Sequence, residues 1–573
     1  MKTLLFLLTI CLFQNPIFTQ PFYQRVTTGI IATDAGSYTM SAWGDYDNNG
    51  FQDLMIVPWN DGCLNCTSPI LLYHNNGNGT FSRGNLTDLG NRLNCNGVTW
   101  GDYNNDGRLD AYITRYYSQP KILLRNDSVA LTPIESGQIV TDISSGTGCA
   151  WADYDKDGWI DMFVSNGQNQ NNGLYKNNGN GTFTKITAGA IVNDGGQSRS
   201  CAWGDYDNDT WPDLFVNNYQ GQNSFLYKNN GNGTFTKITS VTPVQYVGWG
   251  AGCSWADYDN DGWLDLLVTY NNDNNKLYHN NQNGTFSLTS LSPSLEFGQN
   301  FYPVWGDINN DGYIDLFIPK RSGNNALFIN NNGTSFTKIT TDIAALEGGA
   351  SDAATMSDYN NDGKLDLFVS NGSVSNPINN YLYQNITSTS NKYIVLKLKG
   401  CTLNKSAIGT KATVVAGGKR MIRYVHGGSG SQSMLWPHFG LGNAAIIDSI
   451  IIDWTTGNRK ILTNVSVNQF LEITECPVGL INNQMPVKFE LKQNYPNPFN
   501  PSTHIEYSIV NSGNVRLSIF DITGRLIETL VNENQTYGTY SYSFDASKLS
   551  SGIFFYELAT EKSREIRKMM FVK

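Results

Sequence analysis

The sequence predicts an all-β chain: a seven-bladed β-propeller followed by two small β-sandwich-like domains. Three observations carry this expectation. At 573 residues the chain exceeds what one hydrophobic core holds unless the fold repeats. It is rich in glycine (56 residues) and aromatics (12 %) and low in charge (15 %), which favours short strands joined by turns. Finally, the stretch "CAWADYDKDGWIDMFV", residues 149–164, recurs in near copies about every 50 residues, the mark of stacked structural units.

The N-terminus comes first. Lys2 precedes an apolar run from Leu4 to Phe13 and then polar residues, the layout of a cleavable secretory signal that is too short to span a bilayer. Residues 1–19 are therefore expected to be removed. No later segment approaches the roughly 18 apolar residues of a transmembrane helix, so no membrane span is expected.

The repeat array occupies residues 20–390. Its copies begin at Asp45, Asp102, Asp153, Asp205, Asp257, Asp307 and Asp358. Each reads as a strand ending in Trp-Gly/Ala-Asp, an acidic loop, an apolar strand such as "DLFV", a strand around "LYKN", a turn such as "NNGNGT" and a strand such as "FTKIT". Four short strands make one propeller blade. The seventh copy stops at "NNYLYQNITS" (379–388), and "PFYQRVT" (21–27) matches its missing strand, so the two ends are expected to close one blade and remove the sheet edges. Trp43, Trp100, Trp151, Trp203, Trp255 and Trp305, with Met356 in the seventh copy, read as wedges between blades. Cys149, Cys201 and Cys253 stand at one equivalent position and read as buried small hydrophobes. Cys401 and Cys476 are candidates for a disulfide in an exported protein.

Each acidic loop places side-chain oxygens at positions 1, 3, 5 and 9. Loop 1 has Asp45, Asp47, Asn49 and Asp53; loop 2 has Asp102, Asn104, Asp106 and Asp110; loop 3 has Asp153, Asp155, Asp157 and Asp161. Loop 4 has Asp205, Asp207, Asp209 and Asp213, and loop 5 has Asp257, Asp259, Asp261 and Asp265. Loop 6 has Asp307, Asn309, Asp311 and Asp315, and loop 7 has Asp358, Asn360, Asp362 and Asp366. Alternate hard oxygens that converge around a sixth-position glycine, with a backbone carbonyl at position 7, suit Ca²⁺. No His or Cys within the loop motif suits zinc. Two carboxylates about 4 Å apart repel by roughly 4 kcal/mol at an effective dielectric near 20. Up to seven structural Ca²⁺ are therefore expected, turning a formal charge of −10 into about +4. The net acidity reads as ion capacity, and no nucleic-acid partner is expected. Thr210 replaces the sixth-position glycine of loop 4, where binding is expected with strain or lower affinity.

These loops resemble the FG-GAP or VCBS repeats of integrin α-type propellers. The resemblance implies calcium along one face of the ring, held by the loop residues named above.

Residues 391–477 change to longer alternating strands. "AIGTKATVVAGGKRMIRYVHGGSGSQSM", "HFGLG", "IIDSIIIDWTTG" and "NVSVNQFLEITE" resemble the ASPIC/UnbV module found after such repeats in the cartilage acidic protein family. The resemblance implies an extracellular β domain and no reaction; His426 and His438 are expected to pack. After a linker at 478–486, residues 487–573 carry "LKQNYPNPFNPSTHIEYSI", "VRLSIFDITGRLIETLV" and "KMMFVK". They resemble the type A sorting domain of the type IX secretion system. That resemblance implies type IX machinery as partner and a secreted or outer-surface location.

Of five histidines, His74 and His279 occupy the place of Lys176 and Lys228 in "LYKNN" and read as solvated turn residues. No nucleophile elbow, phosphate loop or His/Cys cluster is present, so no catalytic residue and no cofactor beyond Ca²⁺ is expected. The chain reads as a monomeric binding or adhesion module for a glycan or protein. Phe51, Trp159, Trp211, Trp263 and Tyr313 at loop position 7 are candidates for a glycan-stacking patch. The alternative is a polysaccharide-active hydrolase or lyase with its site in the propeller mouth.

Overall fold

The protein is described here from a computed structural model covering residues 20–59, 68–87, 89, 94–372, 378–401, 403–475, 480–482, 488–511, 513–535, 537–546, 549–560 and 562–573. The expected signal segment and Cys63, Cys66 and Cys476 lie outside the described residues. The chain divides into two compact units, Met1–Ile473 and Thr474–Lys573.

In the first unit seven antiparallel sheets form in sequence, six of four strands and one, the fifth, joined by an extra short strand Phe297–Gln299. The first runs Tyr38–Gly44, Asp53–Pro58, Leu71–Asn75, Phe81–Arg83 from the inside outward. The seventh is completed from both ends of the array. Ser351–Ser357, Asp366–Asn371 and Tyr381–Asn385 are joined by Tyr23–Val26, which pairs in register from Tyr23↔Asn385 to Val26↔Leu382. Asp342 fixes that N-terminal strand by accepting the N–H groups of Phe22 at 2.7 Å and Tyr23 at 3.1 Å. The ring closes as the sequence implies.

The Trp-Gly/Ala-Asp signature has a packing cause. A Cβ added at Gly44 would sit 2.9 Å from the Trp100 ring of the next blade, at Gly101 2.9 Å from Trp151, and at Gly204 2.7 Å from Trp255. Each indole thus lies over the small residue before the preceding blade's acidic loop. Trp100 and Trp255 also donate Nε1–H to Ala42 O (3.0 Å) and Ala202 O (3.1 Å) across the blade boundary. Trp43, Trp100, Trp151, Trp255 and Met356 are buried, while Trp203 and Trp305 keep part of their surface. The thiols of Cys149, Cys201 and Cys253 are buried and form no disulfide; Cys401 is disulfide-bonded.

Residues 392–474 belong to the same compact unit as the ring for all but their last residue. They form a three-stranded sheet, with Lys392–Lys399 between His438–Gly442 and Gln469–Thr474. A four-stranded sheet runs Lys419–Tyr424, Lys411–Ala416, Ile447–Asp453, Arg459–Val465. Between them a strap, residues 427–434, enters the centre of the ring. It accepts the N–H of Trp151 on Gly427 O (2.8 Å), of Val98 on Gly430 O (2.8 Å) and of Trp43 on Gln432 O (3.0 Å). It donates Gln432 N–H to Ser41 O (3.0 Å) and Met434 N–H to Met356 O (3.2 Å). Inner strands converge on the ring axis with unpaired backbone groups, and the strap satisfies them. Glycine is required where it does so, because a Cβ at Gly427 would collide with the Trp151 backbone.

The second unit packs two four-stranded sheets. One contains Ser502–Ile509 and Gly538–Asp545, the other Gly513–Asp521, Leu526–Gln535, Gly552–Thr560 and Arg564–Phe571. Ile505, Tyr507, Val515, Leu517, Tyr556 and Leu558 fill its core. No helix among the described residues is long and apolar enough to cross a membrane.

Candidate metal centres

The antiparallel register that pairs Gly44 with Asp53 puts each acidic loop at the same end of its blade, and the following blades repeat it. All 28 loop residues named above therefore lie on one face. In every loop the position-6 N–H fixes one oxygen of the position-1 carboxylate, from Gly50 to Asp45 (3.0 Å) through Gly363 to Asp358 (2.7 Å). The position-7 N–H bonds the position-5 side chain, from Phe51 to Asn49 (2.8 Å) through Lys364 to Asp362 (3.0 Å). In loops 2, 5, 6 and 7 the other oxygen of the position-1 carboxylate accepts the position-5 N–H, from Asp106 to Asp102 (3.0 Å) through Asp362 to Asp358 (2.9 Å).

Carboxylate oxygens of positions 1, 3 and 9 lie within 4.8 Å of one another in loops 3, 4 and 5. The second oxygens of Asp45, Asp153 and Asp205 are buried with no protein partner, and so is one oxygen of Asp155. Burial pushes the position-1 carboxyls up, Asp45, Asp102 and Asp205 to about 6, Asp153, Asp307 and Asp358 to about 7 and Asp257 to about 8. At position 9 it raises Asp265 to about 7, Asp53 and Asp213 to about 9, and Asp110, Asp161, Asp315 and Asp366 well above the usual range. Buried oxygens that no donor reaches, among carboxyls that resist ionising alone, fit a divalent cation.

Side chains from the third strand also enter the loops. Lys176 Nζ bonds Asp155 and Asp157, and Lys228 Nζ bonds Asp207 and Asp209. His74 Nδ1 stands 3.0 Å from Asp47, and His279 Nδ1 stands 3.2 Å from Asp265, which raises the His279 pKa to about 9. The two histidines are thus half-buried against loop carboxylates instead of solvated, because the third strand runs beside the loop of its own blade.

The position-7 aromatics form no open patch. Phe51, Trp159, Trp211, Trp263 and Tyr313 are half-buried. The first three lie over the glycine of their own blade's outer turn, where an added Cβ on Gly77, Gly179 or Gly231 would come within 2.9 Å of the ring.

Two rings of asparagine, unmarked by the motif, tie the loops together. An asparagine at the end of each third strand (Asn75, Asn126, Asn177, Asn229, Asn280 and Asn385, with Asn330 one residue before the end of the sixth) donates its backbone N–H to the position-9 carboxylate at 2.7–2.8 Å. Its side-chain amide donates to the position-2 carbonyl of the preceding blade at 2.7–2.9 Å, ending with Asn385 to Ile308 and closing with Asn75 to Tyr359. The position-4 asparagines reach forward: Asn48 donates to Gly107 O and Asn361 to Gly50 O, both at 3.0 Å, so the last loop grips the first. The recurring "LYxN" carried the sequence signal for the first ring.

The second module sits on this face. Asn404 N–H bonds Gly158 O (2.8 Å), Lys411 Nζ bonds Asn208 Oδ1 (2.7 Å), Gly442 N–H bonds Asn310 O (2.8 Å) and His438 Nε2 meets Gly363 O (3.1 Å). His438 is buried there as a packing residue. At the opposite end of the blades an aromatic surface is displayed. Trp59 stacks on Tyr117 (6.1 Å, 26°) beside Tyr116, and Tyr219 meets Trp249 edge-on at 5.0 Å. Tyr117 and Trp249 are 43 % and 49 % exposed. Arg199 lies 5.1 Å from the centres of both the Tyr219 and Phe301 rings.

Family models match the repeat array and both C-terminal modules. The FG-GAP-like repeat family matches residues 45–113, 153–216, 205–268, 257–318 and 307–369. The ASPIC and UnbV family matches 400–477, and the secretion system C-terminal sorting domain matches 493–573. Cartilage acidic protein 1 of Xenopus tropicalis is 23 % identical over 513 residues, 79 % of this chain and 77 % of its own length. Among solved structures, a Lactobacillus plantarum protein is 13 % identical, with 78 % of this chain and 99 % of that one covered and a TM-score of 0.32. The Photorhabdus luminescens Tc holotoxin pore is 11 % identical over 88 % of this chain and 22 % of that one, also at 0.32. The chain is an FG-GAP-like repeat protein that carries an ASPIC and UnbV domain and ends in a secretion system C-terminal sorting domain.

Proposed function

We propose that the protein is a secreted, calcium-stabilised binding module that acts without catalysis and takes a carbohydrate chain on the face opposite its acidic loops. The sorting domain supports secretion or an outer-surface location. The all-carboxylate sets of loops 3, 4 and 5, with buried unpartnered oxygens, support Ca²⁺ over softer metals, while His74 and His279 stand beside the carboxylates of loops 1 and 5. Residues 487–573 would engage the secretion machinery.

One observation carries the binding reading. The Trp59–Tyr116–Tyr117 and Tyr219–Trp249 clusters, in which Tyr117 and Trp249 are exposed and the other rings half-buried, lie with Arg199 away from the face that the second module covers. Aromatic faces with a polar rim suit sugar rings, which present C–H groups to the ring and hydroxyls around it. Among the described residues at that end of the blades, Asp352 is held by two donors of Arg321 and Asp273 by the Tyr246 hydroxyl.

A glycan array on the calcium-loaded chain, paired with a depolymerisation assay on any polysaccharide bound, tests this. Binding without cleavage that is lost in Trp59→Ala and Trp249→Ala is expected. Cleavage of a bound polysaccharide would install the enzyme reading, and retention by protein ligands alone would replace the carbohydrate.

A further inference from the structure

A cavity of about 500 Å³ lies inside the first unit, between the acidic-loop face of the ring and the second module. That volume is within the range of small-molecule sites. Apart from His426, its exposed lining residues are Thr210, Gly457, Asn458 and Arg459, so it opens between loop 4 and the turn after Asp453. The mouth therefore falls at Lys156 and Thr210, the two positions where loops 3 and 4 depart from the repeat.

We propose that this cavity binds a neutral saccharide of one or two rings. It lies on the opposite side of the ring from the aromatic face and does not depend on that face binding anything. Trp203 and Trp305 line it with indole surface that the blade boundary leaves partly uncovered. Trp454 is 5 % exposed, yet its Nε1–H has no acceptor, and the buried Tyr424 hydroxyl likewise has none. His426 is ringed by protein, with burial and then Arg423 pushing its pKa down to about 4, but its surface is open to the cavity. At neutral pH it offers one donor and one acceptor. A hydroxyl group both donates and accepts, so a polyhydroxylated ring answers this mixture while its C–H face covers an indole. The charged residues that line the site are of both signs, Arg459 paired with Asp453 and Lys156 and Lys411 beside Asp153, Asp205 and Asp453, so no excess of one sign selects an ionic ligand.

The test uses the full calcium-loaded chain, with saturation-transfer NMR and calorimetry against glucose, galactose, mannose, N-acetylglucosamine, cellobiose, lactose and diacetylchitobiose. At least one is expected to bind saturably, with affinity falling tenfold or more in His426→Ala and in Trp454→Phe, each at unchanged melting temperature and calcium content. Arg459→Ala at the mouth provides a second readout if Trp454→Phe does not fold. Binding abolished by Trp59→Ala and Trp249→Ala but untouched by His426→Ala and Trp454→Phe would overturn the cavity site and support the open-face reading. Saturable binding by no sugar of the panel would overturn the cavity site while leaving long-chain binding at the open face standing.

Discussion

Lys156 Nζ donates a hydrogen bond to Thr210 Oγ1 at 2.7 Å, joining loop 3 to loop 4. At other junctions a position-4 asparagine reaches the position-6 glycine carbonyl of the next loop, as Asn208 does to Gly262 at 3.2 Å and Asn310 to Gly363 at 3.0 Å. Here position 4 is lysine and position 6 is threonine, and the two departures pair with each other. Lys156 also lies 4.2 Å from the centre of the Trp211 ring.

Thr210 holds φ at 77°, a left-handed conformation that is unfavourable for a β-branched residue. Thr210→Gly is expected to stabilise the chain by about 1 kcal/mol, because the strain is larger than the worth of one exposed hydrogen bond. Thermal melts in excess calcium check this; a lower melting temperature would show that the Lys156 pairing outweighs the strain.

The asparagine ring predicts a larger effect. Asn229 Nδ2 serves both Tyr154 O (2.8 Å) and Pro212 O (3.2 Å), and the residue is buried. Asn229→Ala is expected to cost about 1–3 kcal/mol by leaving buried carbonyls unpaired. Chemical denaturation measures it.

Gly427 sits where any side chain meets the Trp151 backbone. Gly427→Ala is expected to destabilise the chain by roughly 2 kcal/mol or more, the usual result of forcing atoms into a filled site, and to expose residues 427–434 to protease. Limited proteolysis with mass spectrometry reads the cut sites; protection equal to the parent chain would argue against the strap's role.

How much of this was legible follows from range and period. The loops, the wedges and the closing strand lie in a 50-residue repeat, so Asp153 or Trp100 declares itself by recurrence. The Gly427–Trp151 contact spans 276 residues between a repeat and a non-repeat, and nothing periodic points to it. "GGSGSQSM" therefore read as a motif of its own module. The third-strand asparagines do recur, yet a residue beside the strong "DxDxDG" signal looks like turn chemistry until Asn75 is seen to reach Tyr359. His74 and Phe51 were misplaced for a related reason: spacing gives the strand, but not which neighbouring loop or turn its side chain covers.

The position-1 and position-9 carboxyls give a pH test. In the ion-free chain their pKa values are raised, for example from 3.8 to about 6 at Asp205 and to about 9 at Asp213. The folded state then holds more protons than the unfolded state, so stability present below about pH 4 is lost as pH rises through these values. With chelator present the melting temperature is expected to be higher at pH 5 than at pH 8.5. Saturating calcium is expected to remove the loss at pH 8.5. A melting temperature in chelator that climbs with pH would contradict the burial of these carboxyls.

Calcium titration of chelated protein at pH 7.5, read by calorimetry and thermal unfolding together, addresses the central claim that ions in the acidic loops lock the ring. The account predicts several bound Ca²⁺ per chain and a melting temperature that rises with calcium, each site adding about 2.7 kcal/mol at a hundredfold excess over its dissociation constant. A chain that binds no calcium, or melts at the same temperature in chelator and in millimolar calcium, would contradict it.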